Sequence, residues 1–271
     1  MLNGYKRLLL KSRGVIAIDG KTICNSGDSF NKKKATHIVT AFAAEKSNEI
    51  TAIPELLNTL KLKGCIITID AMGCQAAITK KIKDQGGDYV IGLKGNQGLL
   101  HAEVANFFDQ VLDAGAQEAG CEYAKTIEMD HGRIEEREIW TTSDLSWLEG
   151  AEDWDRLKSL ICIKSIRHEK EKTSEEMRYY ISSLITPAER MGEIVRLHWS
   201  IENKLHWHLD VTFNEDKSKI HAGNGAENFS LLKRCVLNLV KADTTEKASL
   251  SSKRKMAGWN PAYRLHLMGV K

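Results

Sequence analysis

Long hydrophobic runs, prolines and paired cysteines are what this 271-residue sequence has least of. No apolar stretch approaches the ~20 residues that a membrane-crossing helix needs, which excludes an integral helical membrane protein. A short Leu8–Leu10 patch is followed by Lys11 and Arg13 rather than by small residues, too little for a secretory leader. Three prolines in all leave no proline-rich linker to divide the chain. The cysteines, Cys24, Cys65, Cys74, Cys121, Cys162 and Cys235, are scattered, with no C-x-x-C pair and no clustering with histidine. Neither a structural zinc nor a disulfide framework is expected, and a reduced, cytoplasmic setting fits best.

What is present suits a folded domain. Hydrophobic residues make up 42% and charged residues 28%, and the length is ample for a sizeable core. The net charge of +3 is uneven. From Lys241 to Lys271 seven Lys/Arg face only Asp243 and Glu246, a surplus of +5, which leaves −2 on the first 240 residues. A basic tail on a slightly acidic body suits a phosphate-contacting arm, the alternative being a solvated, partly disordered tail.

Periodicity predicts strand Val15–Ile18 closed by Asp19-Gly20, a polar loop Lys21–Lys34, and a strand His37–Ala43. Ile50, Ile53, Leu56, Leu57 and Leu60 predict a helix over Glu49–Leu62, stopped by Gly64. Strand Cys65–Ile69 ends at Asp70, a helix spans Gln75–Gln85, and strand Tyr89–Leu93 leads into the loop Lys94–Gly98. Alternating strands and helices imply an α/β sheet with a largely parallel core over 15–99, after an N-terminal remnant 1–14. Beyond a helix near Glu103–Leu112, region 100–186 is β-rich, with strands Ala124–Met129, Glu135–Thr141, Leu160–Arg167 and Arg178–Ser182 and a charged loop His168–Glu176. Helices Ala188–Leu209 and Glu227–Lys241 occupy 187–241, before the tail 242–271.

Two strands end in aspartate, Asp19 and Asp70, and ligands of open α/β sheets gather beyond the carboxyl ends of strands. Two anions brought together need a cation, and oxygen ligands of this kind favour magnesium. An aspartate after a strand also commonly starts a turn or caps a helix. On an α-helix Trp199, Glu202, Asn203, His206 and Asp210 fall on one polar stripe, with Ile201, Leu205 and Leu209 beside it. A solvated helix face is the plainer reading of that stripe.

The strings AIDGKT (17–22), EKSNEITAIPELL (45–57), TIDAMGCQ (68–75), LKGNQG (93–98), HGRIEER (131–137), RYYISS (178–183) and HWSIENKLHWHLDVTFNED (198–216) stand in order. Together they resemble the DDE transposases of the ISAs-type insertion sequences, which include the H-repeat-associated proteins. The resemblance runs from about Val15 to Lys241. It implies an RNase H-like (retroviral integrase-like) catalytic core, with a β-rich insertion before the last catalytic helix. By that likeness the acids are Asp19, Asp70 and Glu202, holding two Mg²⁺ (Mn²⁺ substituting) for phosphodiester cleavage and strand transfer. The implied partner is DNA, at transposon ends and target, with a homodimer bridging two ends. Lys94, Asn96 and Gln97 in the glycine-flanked loop, and His131, Arg133 and Arg137 in HGRIEER, are candidate DNA contacts. A tight turn and an ion-paired strand are the plainer readings of those two groups. Asn203, His206 and Asp210 are candidates to orient Glu202, and Lys21 to offset charge beside Asp19.

The sequence also departs from the family's pattern. Only 18 residues precede Asp19 where relatives carry a further region expected to help recognise element ends. A strand found in similar proteins is expected to be missing near Glu45, which exposes a strand edge and lowers stability relative to an intact homologue. A Y-x2-R-x3-E-x6-K signature around the last acid is absent, its positions being held by Val195, His198 and Leu209. The alternatives to an active strand-transfer enzyme are a degenerate, inactive remnant and a module that only binds DNA.

Overall fold

The computed structural model describes residues 14–22, 37–39, 49–130, 133–169, 172–201, 205–220 and 222–270. Its strands are β1 (Val15–Ile18), β2 (Gly20–Thr22), β3 (His37–Val39), β4 (Ile66–Ile69), β5 (Asp88–Leu93), β6 (Glu122–Asp130), β7 (Arg133–Thr142), β8 (Ser159–Glu169) and β9 (Lys172–Ser182). The helices are α1 (Glu49–Thr59), α2 (Ala76–Asp84), α3 (Gly98–Ala114), α4 (Ala188–Ile201), α5 (Gly225–Ala242), α6 (Leu250–Trp259) and α7 (Pro261–Leu267). Two compact units result, one of residues 1–19 and 48–199, the other of 20–47 and 200–271.

The first unit is built on a seven-stranded mixed sheet in the order β1-β4-β5-β9-β8-β7-β6. β1, β4 and β5 run parallel, and β9, β8, β7 and β6 continue antiparallel from β5. The three parallel strands are short and apolar, as strands covered on both faces must be. Alternation assigns their side chains to two faces. Ile67, Ile69, Tyr89 and Ile91 are buried on one. On the other, Val90, Ile139, Ile161, Ile163 and Tyr180 pack with Ala188, Met191, Ile194 and Val195 of α4. Each such side chain taken from water contributes roughly 1.5–3 kcal/mol.

Several sequence expectations need correction. Residues 20–22, expected in a polar loop, form β2, paired antiparallel with β3 in the second unit. Gly98, expected in a loop, opens α3, which is longer than the helix predicted near 103–112. Most of the expected charged loop 168–176 is strand, because cross-strand partners such as Lys164 and Glu175, 2.9 Å apart, hold the β8–β9 hairpin extended. Helix 188–209 is not α-helical throughout its described residues: α4 covers its first part, and a π-helical turn spans His208–Thr212. The tail, for which a solvated and partly disordered state was one alternative, carries α6 and α7. The strand expected to be missing near Glu45, and residues 40–43 of the second predicted strand, lie outside the described residues.

Among the described residues no helix is long and apolar enough to cross a membrane. Among the described residues Cys65, Cys74, Cys121, Cys162 and Cys235 take part in no disulfide, and the first four are buried.

Candidate active site at two strand-end aspartates

Ile18 is paired with Ile69 in the parallel register of β1 and β4. Asp19 and Asp70 therefore follow equivalent positions on adjacent strands, which in any sheet lie ~4.8 Å apart. Counting in steps of two from the paired Ala17 and Thr68, both belong to the row that faces α4. The register that sequence reasoning could only suggest is thus present: two carboxylates at one sheet edge.

The turn after β4 is tightly held. Asp70 caps a 3₁₀ turn over Ala71–Gly73, its carboxylate accepting from Met72 N–H at 3.0 Å. The side-chain amides of Asn96 and Gln97 donate to Ala71 O and Cys74 O, each at 2.7 Å. These two residues brace the Asp70 turn from the end of β5. Gly92 on β5 permits that closeness, because a Cβ there would stand 3.2 Å from Ala71 N. Lys94 and Asp70 both line a pocket of about 100 Å³, walled also by His101, Arg178, His198 and Trp199.

Of those neighbours His101, Arg178 and His198 escaped the sequence reading as site residues, whereas Trp199 was read on the polar stripe. His198 is buried on α4, with Nδ1 3.1 Å from Thr68 Oγ1 on β4. Burial lowers its pKa from the ordinary histidine value, partly opposed by Asp70. Trp199 receives the Arg178 guanidinium 4.1 Å from its ring centroid. Arg178 is also held by Glu176 through two bonds of 2.8 Å. The available signal was the row Ala188, Met191, Ile194, Val195, His198 at helical spacing. A histidine ending a buried apolar face must find a polar partner.

The other candidates fall elsewhere. Glu202, Asn203 and His131 lie outside the described residues. Arg133 and Arg137 stand on β7 in an ion-paired ladder: Arg133 with Glu135 at 2.8 Å, and Arg137 with Glu128 at 3.3 Å and with Glu135. The strands β6–β9 carry nine acids against seven Lys/Arg.

In the second unit the structure brings Lys21, His206 and Asp210 together. The Lys21 ammonium lies 2.7 Å from Asp210 and 3.4 Å from Asp216. Burial alone would lower the Lys21 pKa, but these two carboxylates raise it. Burial, with Lys21 and Arg234 nearby, pushes His206 down to about 4. Beneath them Glu215, 1% exposed, accepts from Ser230 at 2.5 Å and from Arg234 at 3.0 Å. No group of three or more metal-ligating side chains is complete among the described residues.

Comparison with known proteins bears on both units. A family model described as the transposase DDE domain matches residues 29–239, a span that takes in Asp70 and Glu202 and begins after Asp19. The chain is 43% identical over 265 residues to "Putative transposase YncI" of Escherichia coli O157:H7, covering 92% of this chain and 67% of that protein. It is 42% identical over 270 residues to "H repeat-associated putative transposase YhhI" of Escherichia coli K12, covering 93% of this chain and 70% of that one.

Proposed function

The chain belongs to the DDE-domain transposase family, and from that premise we propose that it is a Mg²⁺-dependent catalytic domain that cleaves and joins DNA phosphodiesters during transposition. Asp19, Asp70 and Glu202 are the acids assigned to the metal ions. The observation that carries the reading is the shared register of Asp19 and Asp70. Two carboxylates on neighbouring parallel strand ends form the start of a hard-oxygen donor set, which suits Mg²⁺ or Mn²⁺. The alternation of β1, β4 and β5 with helices in a mixed α/β unit supports an RNase H-like core.

When bound, a pair of divalent ions supplies activation of water or a DNA 3′-hydroxyl and neutralises charge on the leaving oxygen. The protein's own contribution is preorganisation. Met72 N–H and the Asn96 and Gln97 amides fix the turn that aims Asp70, so little reorganisation is left for the moment of reaction. Lys94, in the same pocket, is the cation we assign to a DNA phosphate near the scissile bond. Lys21, ion-paired with Asp210, holds the segment that follows Asp19, so both act in support rather than on DNA. Arg133 and Arg137 would reach a phosphate only by exchanging their glutamate partners.

Nicking of supercoiled plasmid tests the reading. Wild type with Mg²⁺ is expected to convert it to open circles, and EDTA to stop it. Asp70→Asn and Glu202→Gln should each lose more than the ~10–100-fold typical of a supporting residue. Salt-sensitive DNA binding without nicking under Mg²⁺ or Mn²⁺ would overturn catalysis and leave a binding-only or degenerate domain.

A further inference from the structure

The last turn of α4 is anchored to the sheet beside Asp70 at two points that the chemistry above does not use. His198 meets Thr68 of β4 at 3.1 Å, and the two residues are 5% and 2% exposed. Its chain neighbour Trp199 is clasped by Arg178 of β9, and both His198 and Trp199 wall the pocket that contains Asp70. Thr68 lies two residues before Asp70 on the same strand row.

An apolar side chain at 198 would extend the row of Met191, Ile194 and Val195 and pack as well. A buried imidazole facing a hydroxyl adds direction, since a hydrogen bond loses strength with a small change of angle and its partner has no water to replace it. We propose that the His198–Thr68 hydrogen bond is a positioning contact for the Asp70 carboxylate, tying the strand that bears it to α4. This rests on the function proposed above. Neither residue touches the reacting atoms; each acts through Asp70.

Thr68→Val keeps shape and removes the hydroxyl, while Thr68→Ser keeps the hydroxyl. Manganese binding is read by electron paramagnetic resonance with the metal alone, and plasmid nicking supplies kcat and KM. Thr68→Val is expected to weaken Mn²⁺ affinity and lower kcat by about 10–100-fold with KM for DNA unchanged. Thr68→Ser should return both to near wild type. As a second pair, His198→Asn, which keeps a polar group near Nδ1, should retain more of both than His198→Leu. A folded Thr68→Val protein with wild-type Mn²⁺ affinity overturns the inference alone, as does equal impairment in Thr68→Val and Thr68→Ser, which would mean packing. Wild type that binds Mn²⁺ but nicks nothing overturns the proposed catalysis, and the manganese titration still decides this contact. Wild type that binds no Mn²⁺ overturns both.

Discussion

His206 is the residue whose burial has the most direct thermodynamic consequence. It is 8% exposed among Lys21 and Arg234, which disfavour a second positive charge, and its pKa is pushed down to about 4. In the unfolded chain the same imidazole titrates near ~6.5. The folded state therefore binds fewer protons between these values. The stability this contributes is fully present above pH ~6.5 and is lost as pH falls through about 4. After allowance for solvent screening the loss is on the order of 2 kcal/mol. Urea unfolding at pH 7.5, 5.5 and 4.5 should show the wild-type midpoint falling across that window and a His206→Gln variant falling less. Parallel curves for the two proteins would mean that His206 is not held neutral by the fold.

At the scale of elements, the site depends on β5 approaching the end of β4 without a side chain between them. Gly92 is the position where this happens, with room for a Cβ only 3.2 Å from Ala71 N and 3.5 Å from the Asp70 carbonyl carbon. Backbone cannot retreat as a flexible side chain can, so Gly92→Val is expected to cost about 1–3 kcal/mol by overpacking and to push the Asp70 turn outward. Thermal unfolding and Mn²⁺ binding measured together check this; unchanged values for both would show that the turn tolerates the branch. Much of this element-level arrangement was legible in the sequence. Ile18 and Ile69 precede their aspartates in apolar runs, whereas the helix expected to run to Leu62 and stop at Gly64 already ends at Thr59, with Gly64, at φ +76°, in the turn before β4. What was not legible depended on contacts distant in sequence. The amides of Asn96 and Gln97 gave no sign that they reach back to the turn at 71–74, and the loop chemistry alone suggested phosphate binding. Nor does helical spacing reveal the π-helical turn at His208–Thr212, since those residues retain amphipathic character whether the turns are α or π. The charged hairpins read as loops because their stability lies in cross-strand ion pairs, which local propensity does not register.

For the molecule as a whole, the uneven charge takes on a different meaning once the tail is folded. Its bases are not all offered to solvent: Lys253 is 7% exposed and lies 3.2 Å from Asp243, and Arg264 donates to the carbonyls of Ala257 and Gly258 at the end of α6. Asp243 gathers the segment, accepting from Thr245 Oγ1 at 2.6 Å and from Tyr263 Oη at 2.8 Å, with His266 at 3.6 Å. One carboxylate just after α5 thus holds both terminal helices, and these hydrogen bonds, with Lys253, keep its pKa well below the usual carboxylate range. Because the folded pKa is depressed, this hold is complete above the ordinary aspartate value of ~3.9 and is lost only as pH falls below it. Asp243→Ala should therefore release α6 and α7 at neutral pH, where wild type keeps them packed. Limited trypsin digestion reads this at Lys247, Lys253, Arg254 and Lys255, with the variant trimmed at these sites before the sheet unit is cut. Should both proteins be trimmed at the same rate, the terminal helices are held by their apolar contacts and not by this carboxylate. If the variant is trimmed faster yet binds DNA with the same salt dependence, the tail's charge works independently of its fold. A steeper dependence of log affinity on log salt would show that the folded state keeps these cations from phosphates.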